Sequence, residues 1–365
     1  MSKNRTCPWI TAGAAALLIV LFVQLATSTH RNSLTWDEDD HIFAGYMSLK
    51  HADFGLNPEH PPLVKMLAAL PLLPLHLKEP PLPGDFFKYD AFHSGKDFIF
   101  HNSVGHDEII FRARIAASLL TMLLALLIFI AAQEMFGTGA AFIALALMVT
   151  DPNVLAHGAV VGTDMGLSCF MFASIYAFYR YVKAPSPGRL IVVGVAGGLA
   201  LASKHTAIVI LPMLVLLAIC EVARSYFRNK AAAAGKDAVE LSPGKRAARL
   251  AVAIVAMSII AIAILWAFYG FRYQAREAGL QLNPTMPHYL QQLSRPREAH
   301  ILAAVAHWHL FPESYIYGLA DVRIMSDFYT SYIFGKIYPH GVWFYFPAAF
   351  VIKSTLAFLI LLGIA

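Results

Sequence analysis

A run of four acids stands directly after the first apolar stretch of the sequence. It reads Thr35-Trp36-Asp37-Glu38-Asp39-Asp40-His41, and charges of this kind are costly in hydrocarbon but acceptable at a membrane–water boundary. Thr35 and Glu38 have the spacing of a capping box, which predicts a helix that begins near Trp36. Asp37 is not needed for that cap, and at helical spacing it shares a face with His41. A general base or a metal site at Asp37 is therefore the alternative to a structural role.

A second polar segment, Asn57-Pro58-Glu59-His60-Pro61-Pro62-Leu63-Val64-Lys65, leads into an apolar pattern over residues 63–73. The adjacent prolines remove backbone donors and set a turn, and the apolar pattern indicates a helix that lies along the membrane surface. His60 and Lys65 flank the start of this helix at the level of the lipid headgroups. Lys65 either extends its charged end to water from an apolar helix or binds a phosphate.

Two further polar positions stand where apolar helices are expected to emerge from the membrane. Asp164 follows Gly162-Thr163 and is either a helix cap or a ligand. Lys204 lies between two apolar stretches, on the side of the membrane that has few other basic residues. Ionisable groups in such a position usually mark a pathway or a bound ligand. Lys204 is thus the strongest single indication of an anionic ligand in the membrane plane.

The segment Phe311-Pro312-Glu313-Ser314-Tyr315-Ile316-Tyr317-Gly318-Leu319 is rich in aromatic residues. Such residues either form the aromatic belt at a membrane surface or stack on sugar rings. The sequence contains neither the HExxH motif of zinc proteases nor the GxSxG motif of serine hydrolases. The candidate chemistry therefore rests on carboxylates and lysines.

Membrane helices must position these residues. The chain has 365 residues, of which 58% are hydrophobic and 14% charged, whereas soluble domains have roughly 45–50% and about 25%. So few charges cannot cover a soluble fold, and the composition does not fit a disordered chain. We therefore expect an all-α polytopic membrane protein, because a helix satisfies its own backbone hydrogen bonds in lipid. Apolar stretches predict about eight spans, near residues 10–28, 112–135, 139–157, 165–183, 190–203, 206–223, 250–270 and 342–365.

Lysines and arginines orient these spans, because they are enriched on the cytoplasmic side of membrane proteins. Lys3 and Arg5 precede the first span, and seven basic residues lie between residues 224 and 249. With both groups in the cytoplasm, residues 29–111 and 271–341 form two long loops on the outside. We expect one membrane domain over residues 1–365, with the catalytic acids in the first long loop and interfacial helices around them.

Two shorter patterns concern individual spans. The first span has a long apolar core and a weak cleavage site, which favours an uncleaved anchor over a secretory signal. In the fifth span Gly194 and Gly198 have the small-residue spacing at which two helices approach closely. A phosphate-binding loop is the other interpretation of these glycines, but the GxxxxGK[ST] spacing is absent from the sequence.

Together, these segments resemble the GT-C superfamily of polyprenyl-phosphate-sugar glycosyltransferases, and in particular its family 39 members related to protein O-mannosyltransferases and aminoarabinose transferases. The resemblance covers about residues 1–225 and rests on four segments in order. They are Trp36-Asp37-Glu38, the run from Asn57 to Lys65, Gly162-Thr163-Asp164 and the run from Gly198 to Lys204. Members of this superfamily commonly have more spans, so the chain is either a fragment that lacks C-terminal helices or a natural short form.

The resemblance implies a reaction and the residues that perform it. A sugar would pass from a polyprenyl phosphate to a lipid, glycan or protein acceptor, with inversion at the anomeric carbon. Asp37 and Glu38 would be catalytic, and Lys204 and Lys65 would bind the donor phosphate. A divalent cation, Mg²⁺ or Mn²⁺, would be held by Asp37 and Asp164. The residues expected to position the acceptor or the sugar are His60, Asp164, Glu313 and Tyr315.

The implied location is the cytoplasmic membrane of a bacterium, with the active site facing the periplasm or the cell exterior and no nucleic acid as a partner. The alternative is a transporter or flippase that binds an anionic lipid-linked substrate at Lys204 without chemistry. Transporters tend to contain inverted repeats, and residues 226–365 do not repeat the pattern of residues 1–225. The transferase requires that Asp37 and Lys204, although far apart in sequence, meet across one cavity.

Overall fold

The computed structural model describes residues 8–84, 86–234, 242–277 and 279–365. Within these residues the chain is all-α apart from one short hairpin. Three basic residues used for the predicted orientation, Lys3, Arg5 and Lys236, lie outside the described residues. The helices are α1 (Pro8–Thr29), α2 (Glu38–His51), α3 (Pro62–Ala69), α4 (Phe87–Phe100), α5 (His106–Phe136), α6 (Thr138–Thr150), α7 (Pro152–His157), α8 (Thr163–Lys183), α9 (Pro187–Leu201), α10 (Ile210–Ala234), α11 (Pro243–Phe268), α12 (Met286–Leu290), α13 (Pro296–His307), α14 (Glu313–Ser326), α15 (Tyr345–Lys353) and α16 (Leu356–Ile364). Two 3-10 helices, Leu70–Leu75 and His205–Val209, and two strands, β1 (Ser331–Ile333) and β2 (Lys336–Tyr338), complete the described structure.

The membrane-spanning part is formed by helices that coincide with the predicted spans. In the described part of the chain, four helices are long and apolar enough to cross a membrane, and they are Pro8–Thr29, His106–Phe136, His205–Asn229 and Pro243–Phe268. Helix α8 has 21 residues, whereas α6 and α9 are shorter, with 13 and 15 residues. The predicted all-α polytopic membrane protein is therefore confirmed.

Two predicted spans are broken in the structure. The stretch 139–157 is divided into α6 and α7, because the Asp151 side chain caps α7 by accepting hydrogen bonds from two of its backbone amides, at 2.8 and 3.1 Å. The stretch 342–365 is divided into α15 and α16, which are bent by 111°. Thr355 begins the second of these helices, since its hydroxyl accepts a hydrogen bond from a backbone amide of α16 at 3.4 Å. Apolar composition alone does not reveal such breaks.

Helix α9 packs closely on α11 through two glycines. A Cβ atom added to Gly194 would lie 2.7 Å from the Cβ of Ile260, and one added to Gly198 would lie 2.5 Å from the Cβ of Ile264. Carbon atoms cannot approach so closely, so only glycine fits at either position without a shift of the helices. The packing interpretation of the Gly194 and Gly198 spacing is thus confirmed.

The first long loop, residues 29–111, folds into α2, α3 and α4. These helices share a core in which Phe43, Tyr46 and Phe98 are fully buried, with ring centroids 4.9–5.3 Å apart across α2 and α4. Helix α3 also contacts α5 and α8 of the membrane bundle. The residues after the first span are therefore held by a helical layer that is anchored to the bundle.

The second long loop, residues 271–341, packs on the first. Arg276 and Asp53 form a buried ion pair between the two loops, with Nη2 and Oδ2 2.9 Å apart. The Phe54 amide donates to the carbonyl oxygen of Ala275 at 2.8 Å, and the Ser314 hydroxyl donates to the carbonyl oxygen of Phe54 at 2.6 Å. The two loops consequently form one layer at the end of the bundle where α5 and α8 begin.

Candidate active site

A cavity of about 270 Å³ lies between the start of α2, the turn that precedes α8 and Lys204, which stands between α9 and the following 3-10 helix. It brings together four of the residues selected from sequence, since Asp37, His60, Asp164 and Lys204 all line it. Glu38, Lys65, Glu313 and Tyr315 are not part of its lining. The remaining lining residues are Thr35, His41, His157, Val160, Val161, Gly162, Thr163 and Met165.

Asp37 is the residue that precedes the first turn of α2, and its side chain is exposed. The predicted helix began near Trp36 with Thr35 as its cap, whereas the helix begins at Glu38 and Asp37 occupies the cap position. The side chain of Asp37 makes no capping hydrogen bond to the described backbone of α2. Its carboxylate is thus placed at the cavity and at the positive end of a helix, where an anion is favoured.

Glu38 is buried beside the cavity and forms a two-pronged ion pair with Arg114 of α5. Arg114 Nε lies 2.9 Å from Oε1 of Glu38, and Nη2 lies 2.6 Å from Oε2. The same carboxylate accepts hydrogen bonds from the amides of Thr35, at 2.8 Å, and Val161, at 3.0 Å. Burial alone would raise the pKa of Glu38, but the hydrogen bonds and the charge of Arg114 hold it below the usual value. Glu38 thereby ties the start of α2 to the turn that forms the opposite wall.

Arg114 also donates to the carbonyl oxygens of Asn32, at 2.8 Å, and Ser33, at 2.8 Å. Its guanidinium therefore fixes the segment between α1 and α2 as well as Glu38. Sequence reasoning missed this residue. The second of two arginines at the start of an apolar span was the available signal, because a charge at that depth requires a partner.

Lys204 and Asp164 face each other across the cavity as an ion pair, with Nζ and Oδ1 2.5 Å apart. Lys204 precedes the 3-10 helix His205–Val209, and its side chain is 27% exposed. Asp164 lies in the first turn of α8 and is 70% exposed. Of the two interpretations of Asp164, the helix cap is contradicted, since Gly162 precedes the helix and no described side chain makes a capping hydrogen bond there. An anion that enters the cavity would meet Lys204 already paired with an exposed carboxylate.

The segment between Asn57 and Lys65 forms a turn that carries His60 to the cavity. Lys65 is buried, and its ammonium donates to the carbonyl oxygen of Asn57 at 2.5 Å and to its side-chain oxygen at 3.0 Å. The Leu63 amide donates to the carbonyl oxygen of Ala202 at 3.0 Å, which joins this turn to the end of α9. As predicted, the proline pair marks a helix start, with Pro62 as the first residue of α3.

Buried ionisable groups surround this turn. Burial, with the neighbouring carboxylates of Asp39 and Glu59, raises the pKa of Asp40 to about 8. Burial also raises the pKa of Glu59 and lowers that of Lys65. Further away, Lys88 forms an ion pair with Asp321 of α14 at 2.9 Å, which joins the two long loops. Carboxyl groups in this region are therefore poised to exchange protons near neutral pH.

Glu313 and Tyr315, predicted to position the acceptor or the sugar, lie on α14 outside the cavity lining. The Glu313 carboxylate accepts a hydrogen bond from the Ala275 amide at 2.9 Å and borders a separate cavity of about 650 Å³. The Tyr315 ring packs against His205, with centroids 4.6 Å apart, and burial raises the pKa of Tyr315. Glu313 thus contacts the second long loop, and Tyr315 contacts the residue that follows Lys204.

The donor set of the cavity fits a weakly held cation better than a built metal site. Among the described residues, no group of three or more His, Cys, Asp or Glu side chains is placed to hold a metal. Mg²⁺ is usually held by one or two carboxylates together with substrate phosphates and water. Asp37 and Asp164, which line the same cavity, match that requirement.

Comparisons with known proteins agree with this architecture. Residues 101–236 match the family model described as dolichyl-phosphate-mannose-protein mannosyltransferase. The S. cerevisiae protein O-mannosyltransferase Pmt1–Pmt2 complex bound to the sugar donor has a similar backbone, with a TM-score of 0.50 and 18% identity over 74% of this chain and 35% of that chain. The predicted resemblance to protein O-mannosyltransferases is thus confirmed for residues 101–236.

A second solved structure, ArnT from Cupriavidus metallidurans in the apo state, is 18% identical, with a TM-score of 0.42 over 87% of this chain and 58% of that chain. No curated protein sequence matches the chain. The chain thus spans about a third of the length of the first solved protein and somewhat more than half of the length of the second.

Proposed function

We propose that the chain is a membrane glycosyltransferase that moves a sugar from a polyprenyl phosphate to an acceptor hydroxyl on a lipid, glycan or protein outside the cytoplasm. The observation that supports it most is that Asp37 and Lys204 line one cavity at the end of a membrane bundle. A carboxylate and an ammonium on facing walls are suited to a displacement in which one group accepts a proton and the other stabilises a leaving phosphate.

In this proposal Lys204 binds the donor phosphate. Negative charge grows on the phosphate oxygen as its bond to the anomeric carbon breaks, and a fixed ammonium stabilises that charge most where water is scarce. The phosphate replaces Asp164 as the partner of Lys204, so the observed ion pair describes the site before the donor enters. Lys65 is buried against Asn57 and adds positive potential while it holds the turn of His60.

Asp37 accepts the proton of the acceptor hydroxyl. The hydroxyl oxygen bonds to the anomeric carbon, the bond from that carbon to the phosphate oxygen breaks, and the proton moves to the Asp37 carboxylate. A single displacement of this kind inverts the anomeric configuration. Glu38 keeps α2 in place through its ion pair with Arg114, so that Asp37 faces the cavity.

A carboxylate at a helix N-terminus is a weak base, which gives a divalent cation a role. Asp37 and Asp164 would hold Mg²⁺ or Mn²⁺, which would supply further charge stabilisation for the leaving phosphate. His60 and Asp164 contact the sugar or the acceptor from the cavity walls. Glu313 and Tyr315 act at a distance by supporting α14 and His205.

The polyprenyl tail would lie between α9, α10 and α11. A cavity of about 190 Å³ opens there next to the 3-10 helix that follows Lys204, and its lining is almost entirely apolar. Leu201, Ala207, Leu211 and Ala261 are among the lining residues. This location places a lipid chain in contact with the membrane while its phosphate reaches Lys204.

The test is incubation of the purified protein with several undecaprenyl-phosphate sugars, with and without a chelator, while released undecaprenyl phosphate is measured. The D37N variant should lose turnover by about 10²–10⁴-fold, as expected for loss of a general base, and retain binding of the donor. The K204Q variant should lose donor binding. The exposed Asp97 and Lys183 provide matched controls, and D97N and K183Q should behave as the wild type.

A transporter or flippase would give the opposite pattern. Lipid movement would survive in D37N, and undecaprenyl phosphate would not be released from any donor. Either result overturns the transferase proposal.

A further inference from the structure

His41 lines the cavity and carries a buried ring nitrogen that has no hydrogen-bond partner among the described residues. It lies one turn after Asp37 on α2, is 3% exposed and lines the same cavity. Its Nδ1 atom lies 2.6 Å from the carbonyl oxygen of Val161. A carbonyl oxygen only accepts hydrogen bonds, so Nδ1 carries the proton and Nε2 of the neutral ring carries a lone pair. Burial lowers the pKa of His41, which keeps the ring neutral at neutral pH.

This lone pair has no partner. Across the part of the chain that the structure describes, Nε2 of His41 is buried and accepts no hydrogen bond, and Nδ1 of His60 is likewise buried and unpaired. The two rings contact edge to face, with centroids 4.6 Å apart. Buried polar atoms in native proteins almost always have partners. Two neighbouring ring nitrogens without one, on residues that line a cavity, therefore point to a ligand.

The chemistry of the site selects the kind of ligand. A neutral imidazole nitrogen needs a donor, which a hydroxyl, an ammonium or a metal ion could satisfy. No described group of three ligating side chains is placed to hold a metal, and the Mg²⁺ or Mn²⁺ of the proposed function prefers carboxylate oxygens to an imidazole nitrogen. A substrate ammonium would be repelled by Lys204 in the same lining. A hydroxyl both donates and accepts, so one hydroxyl or two adjacent ones can pair with both histidines.

We propose that His41 is a hydrogen-bond acceptor for a carbohydrate hydroxyl held beside the donor phosphate. This assignment rests on the proposed function, because the phosphate at Lys204 places a sugar in the same cavity. The hydroxyl belongs either to the sugar of the donor or to the acceptor that attacks it, and the two sources are separable by experiment. In both cases His41 determines which hydroxylated substrate is accepted, whereas Asp37 takes the proton.

Two variants separate the two nitrogens of the ring. In H41N the side-chain amide can still donate to the carbonyl oxygen of Val161, but nothing replaces the acceptor at Nε2. In H41Q an acceptor remains near the Nε2 position while the bond to Val161 is lost. If His41 only supports the fold, H41N is the milder change; if it accepts a hydroxyl, H41Q is the milder change.

The experiment measures the affinity of each variant for undecaprenyl phosphate and for undecaprenyl-phosphate hexose, and the rate of undecaprenyl phosphate release. If the hydroxyl belongs to the donor sugar, H41N weakens binding of the hexose-bearing lipid about tenfold, as expected for one neutral hydrogen bond, and leaves binding of the bare lipid unaffected. If the hydroxyl belongs to the acceptor, both affinities stay unchanged and the release rate falls about tenfold. In each case H41Q retains most of the wild-type value.

The assignment is overturned if H41N loses affinity equally for both lipids. It is also overturned if H41N loses neither affinity nor release rate. Should H41N not fold, H41Q and the wild type with monodeoxy hexose donors decide. If the hydroxyl belongs to the donor, one deoxy position must then cost the wild type about tenfold in affinity. An unchanged affinity for every deoxy donor assigns the hydroxyl to the acceptor, and a release rate that falls about tenfold in H41Q then contradicts the proposal. Failure of the proposed function looks different, because the wild type would then release no undecaprenyl phosphate from any donor.

Discussion

At the scale of single residues, the buried pair of Glu38 and Arg114 shows how a site can depend on a side chain that never touches substrate. Both side chains are almost fully buried, at 1% and 2% exposure. Removing one partner of such a pair leaves an uncompensated charge, and the cost is typically about 3–5 kcal/mol. The start of α2, and with it the position of Asp37, therefore depends on a residue of α5.

We expect R114K to lower the stability of the protein strongly and to reduce turnover. A lysine cannot make two parallel bonds to Glu38 and also reach the carbonyl oxygens of Asn32 and Ser33. The matched control is R112K on the same helix, because Arg112 pairs with Glu108 at the surface and such pairs contribute about 0–1 kcal/mol. Thermal unfolding in detergent, followed for both variants, checks the difference. Equal melting temperatures for R114K and R112K would contradict it.

Asp40 allows a prediction about pH. Burial and nearby carboxylates raise its pKa from 3.8 to about 8 in the folded protein. The folded state thus holds the proton more tightly than the unfolded chain, so the stability from Asp40 is full below pH 3.8 and declines as the pH rises to about 8. D40N stays neutral and does not lose this contribution.

The melting temperature of D40N minus that of the wild type should therefore increase between pH 4 and pH 8 and stay constant above. The subtraction removes most of the effect of other titrating groups, including Glu59 and Lys65. D107N is the control, since Asp107 is 91% exposed. A difference that is flat with pH, or that falls as the pH rises, would rule out a neutral, buried Asp40.

At the scale of elements, α14 supports the turn that carries His60. Gly318 lies directly against the carbonyl oxygen of Pro58, and an added Cβ atom would overlap that oxygen and lie 2.6 Å from Nε2 of His205. The atoms in the way are mostly backbone, which cannot move aside as a flexible side chain can. The turn and α14 must therefore shift together.

G318A is expected to reduce both stability and donor turnover, because the shift displaces the turn of Pro58 and His60 from the cavity wall. G188A is the control, since nothing lies within 4 Å of a Cβ atom at Gly188 and alanine favours a helix over glycine. Turnover and melting temperature are measured for both. If G318A were as active and stable as G188A, the second long loop would have no part in supporting the site.

Sequence patterns predicted those features that arise from local rules. The apolar stretches located the bundle, the Gly194 and Gly198 spacing predicted close packing, and Pro61-Pro62 marked a helix start. Polar breaks such as Asp151 and Thr355 were missed, because one hydrogen-bonding side chain can end a helix without changing the apolar composition.

The candidate site was predictable where a residue type was unusual for its place, as with Asp37 and Lys204. It was not predictable where a partner came from a distant helix. Arg114 and Val161 of the bundle, and Gly318 of the second long loop, are brought against the first long loop only when the chain folds. Pairing between such residues depends on tertiary packing, which a single sequence does not display.

At the scale of the whole molecule, two layers meet at the cavity. The membrane bundle supplies Asp164 and Lys204 at helix ends, and the first long loop supplies Asp37, His41 and His60. The second long loop locks this arrangement through the Arg276–Asp53 and Lys88–Asp321 ion pairs. A lipid phosphate can thus reach Lys204 from the membrane while an acceptor approaches through the loop layer.

The proposed function requires this loop layer to face the outside of the cell, and labelling can test it. In a background in which the native cysteines are replaced by alanine, D107C and K183C each carry one thiol, and both positions are exposed. They lie at opposite ends of the bundle, since α5 begins beside the loop layer and α8 ends away from it. In intact bacterial spheroplasts a membrane-impermeant maleimide should label D107C, and K183C only after permeabilisation. The seven basic residues near α10 and α11 predict the same orientation. The reverse labelling pattern would place Asp37 and Lys204 in the cytoplasm and exclude transfer to an extracytoplasmic acceptor.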